Sequence, residues 1–566
     1  MSSTEANIRP LLLDAQGTVQ VTAETITARS VTLTARQLCD LELLSNGGFS
    51  PLNGFMGRAD YDSVVQQMRL ADGTLWPIPV TLEVSSEQAQ TLATGDTVAL
   101  RDDEGFMLAA LDISDIFEPD RTLEASQVYG TTDEAHAGVR QILQQVGTLC
   151  LGGTVRAVHL PTHYDFEALR HSPQELRDMF SRLGWRRVVA FHTTRPMHRM
   201  QRSICMDAAK RVSSHLLIHP VVGIARPGDV SYYARIKCYR AIERQFPLGI
   251  AQLSLLPLAM RMAGPREALW HALVRANYGC THLIIANDHG SPPSQAFYQP
   301  YEAQELVKAH AEELQLEMVA FEKQVYVPAW KCFIAESASK ESEDTIETLS
   351  TADFNKRLTL EEPIPDWYSY PEVIDVLRTV HPPRAKLGLT LFFTGLSGAG
   401  KSTLAKIVYG RLIEDGSRPV TLLDGDVVRL NLSSELGFSK EHRNLNVRRI
   451  GFVASEITKN QGIAICAPIA PYASTRRAVR EVVAEHGAFV EIHVSTPLEV
   501  CESRDRKGLY EKARKGIIPE FTGVSDPYDI PEAPELRIDT SGLTPMEAAE
   551  EIYLYLVREG YIATGD

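Results

Sequence analysis

The sequence predicts an α/β multidomain protein: a β-rich N-terminal domain, a central α/β domain with a mostly parallel sheet, and a C-terminal α/β domain built on a glycine loop. Three observations predict it. The chain has 566 residues, and at roughly 150 residues per domain that is three or four domains. From Trp185 onward, short β-branched runs alternate with helical patterns, the rhythm of parallel-sheet folds. Near Leu389 an apolar run leads into a glycine-rich loop and then a helical pattern.

In chain order, residues 1–165 carry short alternating runs, Val31–Thr34, Trp76–Leu82 and Thr97–Leu100, punctuated by Gly and Asp. They predict strands with few long helices. Residues 166–335 form the central domain. WRRVVAFHT ends in a polar turn, helical patterns follow at Met200–Ser214 and Tyr232–Gln245, and the run Thr281–Ala286 ends in the turn Asn287–Ser291. Both turns would sit at carboxyl ends of strands, where such sheets bind ligands. Residues 336–385 read as a small segment and linker, with the polar stretch ESASKESEDT and prolines in EEPIP and HPPRAK. Residues 386–566 form the last domain, where a fresh strand–helix rhythm starts at Leu387.

With 57 Lys+Arg against 72 Asp+Glu, the net charge of −15 argues against broad nucleic-acid binding, because phosphate backbones reward a basic face. An anionic substrate must then be held by local cations and backbone amides. The eight cysteines are widely spaced, with no CxxC pair and no Cys/His cluster at zinc spacing. They predict buried thiols in a reducing compartment. The N-terminus lacks an apolar leader core, and no window approaches the roughly 18 apolar residues a membrane helix needs. The expectation is a cytoplasmic protein with no membrane partner.

The strongest chemical signal is GLSGAGKS, Gly395–Ser402, which satisfies G-x-x-x-x-G-K-[ST] between a strand pattern and a helix pattern. Gly395, Gly398 and Gly400 let backbone N–H groups curl round phosphate oxygens. Lys401 reaches the outer phosphates, Ser402 offers a hydroxyl to Mg²⁺, and the helix N-terminus supplies positive potential. Val420–Leu423 is a second strand, ending in Asp424-Gly425-Asp426. Two carboxylates there could serve as a metal-water ligand and a general base towards an alcohol; such a triplet can also be only a tight turn.

GLSGAGKST, DGDVVR, LGFSKEHRNLNVRRIG, Pro471-Tyr472, KGLYEKAR and FTGVSDPYDIPEAPEL resemble the adenylylsulfate (APS) kinase family over about Lys386 to Asp566. The resemblance implies transfer of the ATP γ-phosphoryl to the 3′-hydroxyl of APS, giving PAPS, with Mg²⁺. It places ATP on Gly395, Leu396, Ser397, Gly398, Ala399, Gly400, Lys401, Ser402, Thr403 and Arg504, and makes Asp426 the base, with Lys401 and Asp424 also catalytic. Arg429, Phe438, Arg443, Asn446, Ile469, Lys507 and Phe521 would bind APS, the two phenylalanines sandwiching its adenine, and residues 507–521 would form a lid that also carries Lys512 and Arg514. In residue terms, arginine forks suit an anhydride dianion and aromatic faces suit a purine, whereas surface salt bridging and core packing are the bland alternatives. Where the family often has Ser before Pro-Tyr, this chain has Ala470, so transfer is expected to be direct and in line.

LLSNGGFSPLNGFM, LLIHPVVGIARPGDV, LPLAMRMAGPREALWHALVRANYGCTH and EPIPDWYSYPEV resemble the ATP sulfurylase family over nearly all of residues 1–375. The resemblance implies a PUA-like domain followed by a nucleotidyltransferase-like α/β domain. The family pattern Gln-Thr-Arg-Asn-Pro-x-His-x-x-His reads here His192-Thr193-Thr194-Arg195-Pro196-Met197-His198-Arg199-Met200-Gln201, and Gly-Arg-Asp-His-Ala reads Ala286-Asn287-Asp288-His289-Gly290. Both motif arginines and one histidine are therefore absent. Arg195 is one residue from the lost arginine, but one step along a strand reverses side-chain direction. His198 either lies near phosphate or is a polar helix-start residue. Losing one preorganised donor costs on the order of 10²–10³ in rate. The expectation is an APS kinase on a homo-oligomeric body whose sulfurylase site is weak or inactive; a fully bifunctional enzyme and a purely structural or regulatory body are the alternatives.

Overall fold

The computed structural model describes residues 8–562 except 146, 225–229, 293–296, 343–344, 381, 438 and 506–507, and leaves aside the side chains of 145, 341–342 and 426. The chain divides into two compact units: residues 1–350 with 364–380, and residues 351–363 with 381–566. The stretch 336–385 is thus shared between them.

The first unit begins with a six-stranded sheet of β1 (Ser30–Thr32), β2 (Gly54–Phe55), β3 (Leu82–Val84), β4 (Thr97–Arg101), β5 (Met107–Phe117) and β6 (Leu149–Ala157), ordered β1-β4-β5-β6-β2 with β3 also on β6. The run from Trp76 does not form the expected strand before Leu82. Pro77 and Pro79 remove amide donors, so Trp76, Ile78 and Val80 are buried side chains on an extended segment without a ladder. Helices are also more frequent here than the sequence predicts. Ala35–Ser45 is set by a capping box in which Thr34 and Gln37 exchange hydrogen bonds, a local signal stronger than its weak apolar periodicity. The polar stretch expected as linker contains a helix, Glu336–Ser342.

The sheet that positions the first unit's site is five-stranded and wholly parallel: β7 (Val188–Thr193), β8 (His215–Pro220), β9 (Ala251–Leu253), β10 (His282–Ile285) and β11 (Glu317–Ala320), in the order β11-β10-β7-β8-β9. Helices Arg199–Arg211, Tyr232–Glu243 and Pro265–Asn277 accompany it, the first two close to the expected bounds. β7 and β10 are neighbours, with His282 opposite Val189, so the two polar turns lie side by side at the carboxyl edge. A hairpin of β12 (Gln324–Val327) and β13 (Cys332–Ala335) follows.

The second unit is a parallel sheet of β14 (Leu389–Thr394), β15 (Val420–Asp424), β16 (Ile463–Ala467), β17 (Ala488–Val494) and β18 (Leu536–Ile538), ordered β15-β16-β14-β17-β18. β14 is fully buried along its length. Its side chains alternate between two cores: Leu389, Leu391 and Phe393 pack with the helices Lys401–Asp415 and Pro545–Arg558, and Phe392 with Val447, Ile450 and Val479. A central strand covered on both faces reads as the continuous apolar run seen in the sequence. All eight cysteines are free thiols; six are buried, whereas Cys39 and Cys332 are only half-buried. Among the described residues no helix is long and apolar enough to cross a membrane.

Candidate active sites

In the second unit, the glycine loop joins the buried end of β14 to the helix that starts at Lys401. Gly395 is held against β17: a Cβ there would lie 2.5 Å from the Val494 carbonyl oxygen. Gly398 sits at φ 76°, a left-handed geometry in which its missing side chain matters. The buried Lys401 ammonium donates to the carbonyls of Gly395 (2.9 Å) and Leu396 (2.7 Å), placing a cation inside the loop. Ser402 and Thr403 are exposed on the first helical turn, and Ala399 is buried, its carbonyl accepting from Thr496 and Thr540.

Asp424 ends β15, and the helix Gly425–Asn431 starts at the next residue, so Asp426 stands on a first helical turn rather than in the expected strand-end turn. The Asp426 side chain lies outside the described residues, as do Phe438 and Lys507. β16 separates β15 from β14. β15 and β14 are thus two interstrand steps of about 4.8 Å apart. The backbone after β16 fills the intervening position: the Ile469 carbonyl accepts from Thr394 Oγ1 (2.8 Å) and the Gly395 amide (3.3 Å). Ala470 is buried at φ 47°, with its carbonyl accepting from Arg476 (2.8 Å).

Arg443 is held rather than loose. It donates to the Glu520 carbonyl (3.0 Å), Thr522 Oγ1 (2.8 Å) and the Tyr472 hydroxyl (2.9 Å), and pairs with Asp526 at 3.0 Å. Burial, reinforced by the Tyr472 hydroxyl donating to Asp526, pushes that phenol up to about 12. Asn446 is buried on the same helix, Lys440–Lys459, while Arg429 donates to the Leu436 and Gly437 carbonyls. Just before the segment 507–521, Asp505 accepts from the amides of Leu509 and Tyr510 (2.8 Å each) and so starts the helix Leu509–Arg514. The Tyr510 hydroxyl donates to the Ser397 carbonyl (2.8 Å), and its ring meets Phe521 edge-on at 5.1 Å. Arg504 is fixed by two 2.8 Å bonds to Thr540, Lys512 is exposed, and Arg514 pairs with Glu502.

Comparison with known proteins assigns families along the chain. The PUA-like domain pattern matches residues 2–160, the ATP-sulfurylase pattern residues 167–380 and the adenylylsulphate kinase pattern residues 387–539. The sulfate adenylyltransferase of Phaeosphaeria nodorum is 44% identical over 97% of both chains, and that of Emericella nidulans 46% identical over 96% of both. The chain belongs to the sulfate adenylyltransferase family. It is a fusion of an ATP-sulfurylase domain and an adenylylsulfate kinase domain. A solved structure described as the hexameric APS kinase from Thiobacillus denitrificans shares 40% identity and a TM-score of 0.81, covering 99% of this chain and 98% of that one.

In the sulfurylase domain, the edge of β7 and β10 carries residues 192–201 and 286–290. Thr194 is buried and its carbonyl accepts from Arg235 (2.8 Å), whereas Arg195 is exposed and its own carbonyl accepts from the Tyr239 hydroxyl (2.8 Å). Thr193 folds into a local turn, its hydroxyl donating to the Arg195 carbonyl (2.9 Å). Gln201 Oε1 accepts from the His198 amide (2.9 Å), so this residue caps its own helix. His198 is the helix-start residue, its Nδ1 2.8 Å from Ser369 Oγ, and desolvation lowers it to about 4. Asn287 is half-buried, Asp288 exposed and His289 buried. Ala225–Asp229 of LLIHPVVGIARPGDV lie outside the described residues.

The structure also gathers side chains that spacing along the sequence does not reveal. His192, His271 and His289 converge: His271 Nδ1 lies 2.9 Å from His289 Nε2, and the His192 ring is 4.2 Å from that of His271. Arg275, fully buried, donates to His192 Nδ1 (2.9 Å), and burial pushes it down to about 10. These residues come from a strand, a helix and a turn up to 97 positions apart (289 − 192), so no short motif could have signalled them.

Proposed function

We propose that this chain makes PAPS by transferring the ATP γ-phosphoryl to the 3′-hydroxyl of APS, and that its sulfurylase domain contributes little or no sulfate activation. The observation that carries the first part is the buried Lys401 ammonium inside a glycine loop, about two strand spacings from Asp424 and the helix bearing Asp426. The loop amides and Lys401 hold the donor phosphates, and Arg504 lies at their edge. Asp426 accepts the 3′-hydroxyl proton as that oxygen attacks, and ADP leaves. Arg429, Arg443, Asn446 and Ile469 hold APS, with Phe438 and Phe521 on its adenine, while Lys507 and the lid exclude water. The exposed Ser402 hydroxyl and the Asp424 carboxylate are hard oxygen donors that fit Mg²⁺, directly or through water. Bound there with the phosphates, the ion would neutralise charge on the transferring group.

The second part rests on charge. Sulfate attacking an α-phosphate brings anions together, yet the two motif arginine positions hold Thr194 and Asn287, and Arg195 points to solvent. The names of the fungal relatives favour a second reading, a fully bifunctional enzyme. One preparation decides between them: PAPS formation from ATP and APS should be robust, and ATP formation from APS and pyrophosphate near background. Robust pyrophosphate-dependent turnover would establish the bifunctional reading. The hexameric relative supports a homo-oligomer here, to be checked by light scattering on the intact chain, where a monomer mass refutes it.

A further inference from the structure

We propose that His192, His271 and His289 form a site for one divalent transition-metal ion of the zinc class, in the sulfurylase domain and separate from the kinase chemistry. Their candidate ligand nitrogens all lie within 4.8 Å of one another. A tetrahedral zinc with Zn–N near 2.0–2.1 Å spaces its ligands by about 3.3 Å, so small side-chain adjustments that open the 2.9 Å His271–His289 pair and draw His192 inward fit all three around one ion. Three separate, well-packed elements carry the ligands: the end of β7, the helix Pro265–Asn277 and the turn after β10. Rigid elements hold a coordination geometry better than loops do.

The surroundings fit a metal-bound imidazole. Behind His271, Glu267 Oε1 lies 3.7 Å from Nε2, and that buried carboxylate is itself fixed by the amides of Arg261 (2.7 Å) and Ala263 (3.0 Å). A carboxylate behind a ligating histidine orients the ring and raises its basicity. With Nε2 turned to Glu267, Nδ1 is the nitrogen left to bind, and it is the one aimed at His289. Imidazole nitrogens without thiolate suit zinc, copper, nickel or cobalt rather than magnesium or calcium. The sequence points the same way: His192 stands where the family pattern has Gln, while Thr194 and Asn287 replace arginines.

The Arg275 guanidinium opposes a cation here, since it donates to His192 Nδ1. It also reaches the His219 carbonyl at 3.4 Å, an acceptor it keeps when His192 turns to metal. The competing arrangement is metal-free, with His271 hydrogen-bonded to His289 at 2.9 Å and the Glu267 carboxylate 3.7 Å behind it. To separate the two, the full-length chain is stripped with chelator, dialysed and titrated with Co²⁺ and then Zn²⁺ without nucleotide. One tightly held ion per chain is expected, with the visible absorption of four-coordinate Co²⁺ bleached by Zn²⁺. His192→Gln, which restores the family residue, should weaken binding by more than about 100-fold, beyond the usual cost of losing an outer partner, with its thermal unfolding checked in parallel. Should that variant not fold, X-ray absorption at the zinc edge of the wild-type chain counts the imidazoles directly, and three are expected. No stoichiometric uptake, binding unchanged in His192→Gln, or an all-oxygen shell overturns the proposal.

Discussion

Lys401 and Gly395 carry different burdens in the same loop, and their variants separate them. Lys401→Ala removes charge from a buried position without touching the backbone curl, so PAPS formation should fall by on the order of 10²–10³ while the unfolding transition stays close to wild type. Gly395→Ala drives a methyl to 2.5 Å from the Val494 carbonyl, a backbone atom on β17 that cannot yield alone. Nucleotide binding itself should therefore be lost, which equilibrium titration with an ATP analogue reads. His198 gives a pH signature. Desolvation lowers it from 6.5 to about 4, so the folded chain refuses a proton that the unfolded chain takes up. The stability contributed is complete above pH 6.5 and lost as the pH falls towards 4. The unfolding temperature of the first unit should drop across that window, and less steeply in His198→Gln; an unchanged slope would count against the assignment. His219, lowered in the same direction by burial, keeps the slope from vanishing.

At the scale of elements, the helix Leu509–Arg514 is short, and its hydrogen-bonded attachments include Asp505 at its N-terminus and the Tyr510 hydroxyl on the Ser397 carbonyl. Tyr510→Phe should raise the KM for ATP several-fold and speed amide exchange over residues 509–514, with kcat less affected. The elements most legible in the sequence were β14, the glycine loop and its helix, because a buried central strand, a left-handed glycine turn and a helix N-terminus each impose a distinct residue pattern. The run from Trp76 misled because apolar alternation is shared by strands and by proline-broken extended segments; the prolines decided the outcome. The helix Glu336–Ser342 was hidden by composition, since charged and Ser-rich stretches serve helix and linker alike. Asp424-Gly425-Asp426 was legible as the end of a strand, but its division between a strand and a helix was not.

For the whole molecule, the two compact units predict functional separability. A protease site introduced between residues 380 and 387 and then cut should leave PAPS formation intact; its loss would show that the kinase domain needs the covalent tie to the sulfurylase domain.

By itself the sequence determined the order of domains and the glycine loop between a strand and a helix, because those depend on residue types at short, fixed spacing. Only the tertiary structure decided that Arg195 faces solvent, that Gln201 caps a helix and that three histidines from 192, 271 and 289 meet. Direction and distance between residues far apart in the chain follow from how parallel strands and their helices stack, and local spacing does not encode that.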